Sequence, residues 1–211
     1  MTEPIESLPP TIQDVPFPSS RVVIVDWDGT LAFSCPVAAC ARKRLTSPFP
    51  PVEMDRNGQP EPTALFLRPG TRDFLEELSA HYIVGLWSFG VAEYVAQSLQ
   101  NTGLADAFAL VRTRADMTLP VKDLYTLTGD LTRVLIVDDE PTTFGFLNPD
   151  NCIPIPPWSP FREDAAAGEA DLRRVLYAIP VWFQLLENFG PRLHSLREQR
   201  LALLLQREHG P

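Results

Sequence analysis

The stretch RVVIVDWDGT, residues 21–30, joins a run of β-branched residues to a pair of acids. A continuous apolar run of this length is typical of a strand buried on both faces of a parallel sheet. A second apolar run, VLIVD at residues 134–138, again ends in acid and is followed by another aspartate. Because parallel strands end at the same edge of a sheet, we expect their acids to share one crevice. The four acids are Asp26, Asp28, Asp138 and Asp139.

The rest of the chain alternates strand and helix patterns around these two runs. Further strands are predicted over residues 81–87, 108–111 and 151–155. One helix is expected to be capped by Thr71, with Phe74, Leu75 and Leu78 on one face. Other helices are predicted from Val91, Val95 and Leu99 with a stop at Gly103, and over residues 121–127. The alternation predicts an α/β fold with a doubly wound parallel sheet.

Proline marks the organisation of the chain, which has 22 prolines in 211 residues. Residues 1–20 are expected to form an extended Pro-rich tail, and residues 37–66 a short irregular insertion after the first strand. The domain is predicted to span residues 21–187, and residues 188–211 to form a helical C-terminal extension. Helical patterns over 169–187 and 190–207 contain Pro180 and Pro191, where we expect kinks or breaks. Packing of these helices against the sheet is favoured over a role as a partner-docking arm.

Composition excludes several classes of function. The net charge of -9 disfavours direct binding of nucleic acid. We expect no membrane span, because no apolar run reaches the required length. Residues 1–7 lack the pattern of a secretory or mitochondrial signal. Cys35, Cys40 and Cys152 form no even framework, so free thiols and an intracellular, reducing compartment are expected. The nucleus or cytoplasm fits the composition; the mitochondrion would require a removed or atypical presequence.

The four clustered acids predict a metal site. Carboxylates packed so closely repel one another, and a divalent cation removes that penalty. Oxygen ligands of this kind suit Mg²⁺. Each acid taken alone is also explained as a turn residue at a strand end, since Asp-Gly is a common turn dipeptide. Two such clusters on two apolar strands favour the metal.

The sequence Asp26-Trp-Asp28-Gly-Thr-Leu resembles the first motif of haloacid dehalogenase-type phosphatases, and three further motifs follow in that family's order. Ser88 matches the second motif, Lys122 the third, and Asp138-Asp139 the fourth. The resemblance implies a nucleophile at Asp26, an acid and base at Asp28, and phosphoryl contacts from Ser88 and Lys122. It also implies Mg²⁺ held by Asp26, Asp138, Asp139 and the backbone carbonyl of Asp28.

A narrower resemblance concerns residues 20–187. Segments such as FLRPG at 66–70 and LTRVLIVD at 131–138 are similar to the small phosphatases of the RNA polymerase II C-terminal domain. They also resemble the related presequence receptor of the mitochondrial inner-membrane translocase. The first relative implies a magnesium-dependent phosphatase acting on Ser/Thr phosphate in a protein substrate. The second implies a binding or scaffold subunit, or an assembly factor, with partners held through the N-terminal tail and C-terminal helix. A small-metabolite phosphatase would need a cap domain, for which residues 37–66 are too short.

Three positions depart from the pattern of the C-terminal-domain phosphatases. Trp27 stands where these enzymes usually have Leu, and Gly29 where they usually have Glu. Asp139 stands where they usually have Asn, which adds a negative charge to the fourth motif.

Overall fold

A computed structural model describes residues 21–56, 59–117, 119, 121–141 and 147–208. The predicted tail over residues 1–20 lies outside this part of the chain. The strands are β1 (Val22–Val25), β2 (Ala32–Pro36), β3 (Val52–Arg56), β4 (Gln59–Leu67), β5 (Ile83–Trp87), β6 (Leu110–Arg112), β7 (Val134–Asp138) and β8 (Cys152–Pro154). The helices are α1 (Val37–Arg42), α2 (Thr71–Ser79), α3 (Ala92–Thr102), α4 (Tyr125–Thr128) and α5 (Gly168–Glu208).

The main sheet has five parallel strands in the order β6-β5-β1-β7-β8. Its central strand is β1, whose four apolar residues are all buried, as expected for a parallel strand covered on both faces. Val25 lies opposite Leu86 of β5 and Val137 of β7. The residues that follow these three therefore meet at one edge of the sheet. The predicted doubly wound α/β fold is confirmed.

The insertion over residues 37–66 forms regular secondary structure in the part that the structure describes, so the prediction of an irregular segment was wrong. It contains α1, β3 and β4, and β4 pairs with β2 and β3 in a second, antiparallel sheet. Prolines suggested a loop, but Pro60 and Pro62 lie in the half of β4 that extends beyond its pairing with β2. In that half, β4 pairs only with β3. A proline there costs no hydrogen bond of the sheet when its nitrogen faces the side without a neighbouring strand.

Two local predictions in the main domain need correction. Gly70, not Thr71, is the N-cap of α2, with φ 80°, and the Thr71 hydroxyl donates to the carbonyls of Leu31 and Arg68. Phe74, Leu75 and Leu78 are buried as expected, and Gly103 ends α3 at φ 64°.

The helix expected over residues 121–127 is confined to Tyr125–Thr128. The preceding residues are held by tertiary contacts instead. Lys122 reaches into the sheet edge, and the Leu124 N–H donates to Asn148 Oδ1.

The C-terminal residues form one continuous helix, α5, rather than two interrupted ones. Pro180 is exposed on its solvent side, while Val175, Ile179, Phe183 and Leu186 are buried against the domain. This packing holds the helix together across the hydrogen bond that a proline removes. The helix also runs through the boundary predicted between residues 187 and 188. Among the described residues, no helix combines the length and apolar character needed to cross a bilayer.

Cys35 and Cys40 are joined by a disulfide bond, so the expectation of three free thiols was wrong. Cys35 lies in β2 and Cys40 in α1, and the turn between these elements brings their Cα atoms to 6.7 Å. Cys152 remains a free, buried thiol.

Candidate active site

The carboxyl edge of the main sheet gathers a buried cluster of acids around one lysine. Lys122 Nζ donates to Asp26 Oδ1 at 2.6 Å and to Asp138 Oδ2 at 2.7 Å. Asp26 directly follows β1 and Asp138 ends β7, so the register of the two strands sets their separation. Oxygen atoms of Asp26, Asp138 and Asp139 all lie within 4.8 Å of one another. The strand-end acids singled out from the sequence are thus brought together, with Lys122 between two of them.

The electrostatics of this cluster favour binding of a cation. Burial, together with the charge of Asp138, raises the pKa of Asp26 to about 7, although Lys122 acts in the opposite direction. Burial also raises the pKa of Asp139. For Lys122, burial opposes the charge, but the two aspartates outweigh it and raise its pKa. One ammonium therefore faces three carboxylates, and a divalent cation would offset the remaining negative charge.

Asp28 occupies a separate position at the same edge. Its carboxylate is not part of the three-acid cluster; Oδ1 accepts hydrogen bonds from Tyr94 Oη at 2.5 Å and Ser34 Oγ at 3.1 Å. Burial raises the pKa of Asp28, against the opposing effect of these two hydroxyls. A carboxyl group with a raised pKa, held in one orientation, is suited to giving and taking a proton.

Ser88 follows β5 and faces the same cavity. Its Oγ accepts a hydrogen bond from the Gly90 N–H at 2.9 Å, which leaves the hydroxyl proton to donate elsewhere. The cavity has a volume of about 300 Å³ and is also lined by Phe89, whose ring centroid lies 5.5 Å from Lys122 Nζ. Every residue predicted for the site lines this cavity. The set comprises Asp26, Asp28, Ser88, Lys122, Asp138 and Asp139.

Two of the three departures from the family pattern touch each other. Gly29 has φ 83°, and a Cβ placed on it would stand 2.2 Å from Asp139 Oδ2. The Asp139 carboxylate is fixed on its other side by Thr30, whose Oγ1 donates to Oδ1 at 3.1 Å and accepts from the Asp139 N–H. The third departure, Trp27, is fully buried in the core. The absence of a side chain at Gly29 therefore makes room for the extra carboxylate.

Helix α5 reaches the segment that carries the site lysine. Arg197 Nε donates to Asp123 Oδ1 at 3.0 Å, a second guanidinium nitrogen binds Asp123 Oδ2, and the Arg197 Cζ lies 4.5 Å from the Tyr125 ring centroid. Because Asp123 is adjacent to Lys122, this contact fixes the backbone from which the Lys122 side chain extends. Residues 188–208 thus contribute to the position of a site residue.

Four supporting residues were missed by the sequence analysis. Ser34 was not found because β2 was not predicted, and Tyr94 because only the apolar positions of its helix were used. Thr30 stood within the first motif, where its hydroxyl was a usable signal. Phe89 follows Ser88 directly, but nothing in the sequence indicates that its ring lies over the lysine.

The residues fit Mg²⁺ as the implied metal. The oxygen-only donor set of Asp26, Asp138 and Asp139 is of the hard type that Mg²⁺ prefers. The backbone carbonyl of Asp28 belongs to the loop that follows β1, between Asp26 and Thr30.

Comparison with known proteins places the chain in a phosphatase family. The family described as NLI interacting factor-like phosphatase matches residues 21–176. The mitochondrial import inner membrane translocase subunit TIM50 of Phytophthora infestans is 29% identical over 154 residues, covering 63% of this chain and 37% of that protein. The human carboxy-terminal domain RNA polymerase II polypeptide A small phosphatase 1 is 33% identical over 115 residues, covering 51% and 42%. The chain thus spans less than half the length of either relative.

A solved structure supports the fold. The structure of Fcp1, described as an essential RNA polymerase II CTD phosphatase, matches with a TM-score of 0.56 at 23% identity. The match covers 88% of this chain and 54% of Fcp1.

Proposed function

The chain belongs to the NLI interacting factor-like phosphatase family, and from this premise we propose that it is a magnesium-dependent protein phosphatase acting on phosphoserine or phosphothreonine. The observation that carries the proposal is the cluster of Asp26, Asp138 and Asp139 around Lys122, with Asp28 oriented beside it. This arrangement supplies a nucleophile, a proton donor and a metal site in one cavity.

In the first step, a carboxylate oxygen of Asp26 attacks phosphorus and forms an aspartyl-phosphate as the bond to the seryl or threonyl oxygen breaks. Lys122 binds Oδ1 of Asp26, and Oδ2 makes no hydrogen bond to any described residue. Asp28 gives its proton to the departing oxygen. The raised pKa of Asp28 supports this role, because the group must be protonated before the step.

In the second step, Asp28 takes a proton from water as the water oxygen attacks phosphorus. The bond between phosphorus and Asp26 breaks, and phosphate leaves. Ser88 donates its free hydroxyl proton to a phosphoryl oxygen, and Lys122 offsets the charge on the phosphoryl group. Mg²⁺, held by Asp26, Asp138, Asp139 and the Asp28 carbonyl, supplies Lewis-acid stabilisation of phosphoryl charge when bound.

An open groove beside the site supports a protein substrate. It has a volume of about 400 Å³, shares Asp28 and Asp139 with the catalytic cavity, and runs past Phe33 and Trp158. The edge of the Phe33 ring meets Phe161 with centroids 5.5 Å apart. An open groove with aromatic side chains in its wall suits an extended peptide on either side of the phosphorylated residue.

A second candidate function is that of a binding subunit. The relationship to translocase subunits favours it, as does an exposed apolar stripe on α5 formed by Tyr177, Val181, Leu185 and Phe189. Exposed apolar side chains at every fourth position of a helix are typical of a protein-interaction face.

The phosphatase proposal is tested with purified protein and Mg²⁺. We expect release of phosphate from phosphoserine and phosphothreonine peptides to exceed release from a phosphotyrosine peptide. Asp26→Asn should abolish this activity, because an amide cannot form the aspartyl-phosphate. Asp106→Asn, at an exposed carboxylate far from the site, is the matched control and should retain full activity.

Trapping of the intermediate gives a second measurement. Protein quenched during turnover should carry one phosphate on the peptide that contains Asp26. Turnover that survives in Asp26→Asn would contradict the proposed nucleophile. A complete lack of turnover in the unchanged protein, with the fold intact by circular dichroism, would instead favour the binding subunit.

A further inference from the structure

An apolar groove lies apart from the catalytic cavity and shares no lining residue with it. It has a volume of about 520 Å³ and runs between α5 and the turn Pro149–Asn151. Trp182, Leu185, Phe189 and Leu196 form its helix wall, and Pro149 belongs to the opposite wall. Leu185 is 45% exposed and Phe189 52% exposed, so much of this wall has no cover among the described residues.

The rim of the groove carries more positive than negative charge. Arg192 and Arg200 line it, together with one acid, Asp150. Arg200 lies 3.8 Å from Asp150, a distance that makes a weak ion pair. Arg192 makes no ion pair with any residue that the structure describes. The protein has a net charge of -9, so the charge at this rim is opposite in sign to the charge of the protein as a whole.

The chain enters the fold close to this groove. Arg21 precedes β1, forms an ion pair with Glu187 of α5, and places its Cζ 5.0 Å from the ring centroid of Phe183. The turn that carries Pro149 leads directly into β8. Strands β1 and β8 are parallel and separated by β7, so their starting points lie two strand spacings apart, about 10 Å. Arg21, the first described residue, therefore lies at the same sheet edge as the groove.

The sequence of residues 1–20 complements the groove in charge and in type. It contains three acids, Glu3, Glu6 and Asp14, and no lysine or arginine. It also has five prolines, interspersed with large apolar residues such as Ile12 and Phe17. Pro-rich extended segments bind in grooves lined by aromatic side chains, because little conformational entropy is lost.

We propose that residues 1–20 occupy the groove between α5 and the Pro149–Asn151 turn of the same chain. The groove follows α5 from Trp182 to Arg200, about 27 Å at the helical rise. A polyproline-type segment covers this distance with roughly nine residues, so the length is sufficient. A covalently attached segment has an effective concentration in the millimolar range, so modest contacts are enough. Pairing with a second copy is disfavoured, because two chains of net charge -9 repel each other.

The test uses the full chain with a photoreactive probe, p-benzoylphenylalanine, in place of Phe189. The labelled protein is mixed with an equal amount of ¹⁵N-labelled chain, irradiated, digested and analysed by mass spectrometry. We expect cross-links from position 189 to residues 1–20 within one chain. The same probe in place of Tyr177, which is 80% exposed on α5 but outside the groove, is the matched control and should give few such links.

Charge reversal gives an independent readout. Arg192→Glu should lower the yield of links to residues 1–20 by roughly two- to fivefold, the range of one exposed ion pair. Arg174→Glu, an arginine of α5 that does not line the groove, should leave the yield unchanged. Links between light and heavy chains would overturn the proposal in favour of a second copy. No links to residues 1–20, or equal yields in both charge variants, would overturn it as well.

Discussion

Replacement of Gly29 by alanine tests the link between the first and fourth motifs. A Cβ at this position would stand 2.2, 2.6 and 2.8 Å from three atoms of the Asp139 carboxylate. The backbone of Gly29 cannot retreat easily, because its N–H donates to Ala32 and its carbonyl accepts from the Trp158 N–H. We therefore expect the Asp139 carboxylate to turn away, which breaks its hydrogen bond with Thr30.

The expected cost has two parts. A non-glycine residue at φ 83° costs roughly 1–2 kcal/mol, and the lost hydrogen bond adds about 1 kcal/mol. Chemical unfolding should therefore show a loss of roughly 2–3 kcal/mol in the free energy of unfolding. Displacement of a metal-binding acid should also raise the Mg²⁺ concentration for half-maximal phosphatase activity by roughly 10- to 100-fold.

The control is Gly129→Ala. Gly129 has φ 66°, and a Cβ there would meet nothing within 4 Å, so this variant carries the backbone strain alone. It should lose stability without any change in the dependence of activity on Mg²⁺. In an Asp139→Ala background, the stability cost of Gly29→Ala should fall to that of the control. If Gly29→Ala and Gly129→Ala behave alike in both measurements, the steric link between Gly29 and Asp139 is refuted.

Three further predictions concern the site and its support. Tyr94→Phe removes the donor to Asp28 and should lower kcat and cost roughly 1.5–3 kcal/mol of stability, whereas Tyr177→Phe, at an exposed tyrosine, should change neither. Mg²⁺ at a hundredfold excess over its Kd should raise the free energy of unfolding by about 2.7 kcal/mol; EDTA should reverse this, and an equal rise in Asp138→Asn would count against the metal site. Reduction of the Cys35–Cys40 bond should cost about 2 kcal/mol, from the loop that it closes; thiol titration of the unreduced, unfolded chain should find Cys152 alone, and three reactive thiols would rule the bond out.

The sheet edge was predictable from sequence because its signals are local. The run over residues 22–25 is apolar and β-branched, so it predicts a strand buried on both faces, and the structure has it at the centre of the parallel sheet. Parallel pairing of β1 with β7 then brings Asp26 and Asp138 together without further information. Lys122 and Ser88 were assigned through the family resemblance, and the structure places both in the same cavity.

The supporting contacts depend on tertiary structure that no local pattern reports. The Ser34 hydroxyl reaches Asp28 only because β2 turns back beside the motif, and Tyr94 reaches it from a separate helix. The insertion was misjudged for a related reason. Proline is a strong loop signal, but its effect on a strand depends on whether the side of the missing N–H has a neighbour. Whether β4 has a neighbouring strand on that side depends on the length of β2, which the composition of residues 37–66 does not indicate.

The catalytic cavity and the groove on α5 lie at opposite edges of the same sheet. The acids and Lys122 lie where β1 and β7 end, whereas the groove on α5 lies where β1 and β8 begin. A substitution could therefore abolish catalysis and leave the groove unchanged. Helix α5 contacts both the segment that carries Lys122 and the groove, because Arg197 holds Asp123 next to Lys122 while Trp182 and Phe189 line the groove. Arg197→Gln should therefore lower phosphatase activity, and it changes no residue that lines the groove. Phe189→Asp should alter the groove and leave the catalytic cavity unchanged. Arg197 and Phe189 lie about two helical turns apart on α5. Effects of the two variants that do not separate would therefore show that α5 responds as a unit and that the groove and the catalytic cavity are coupled.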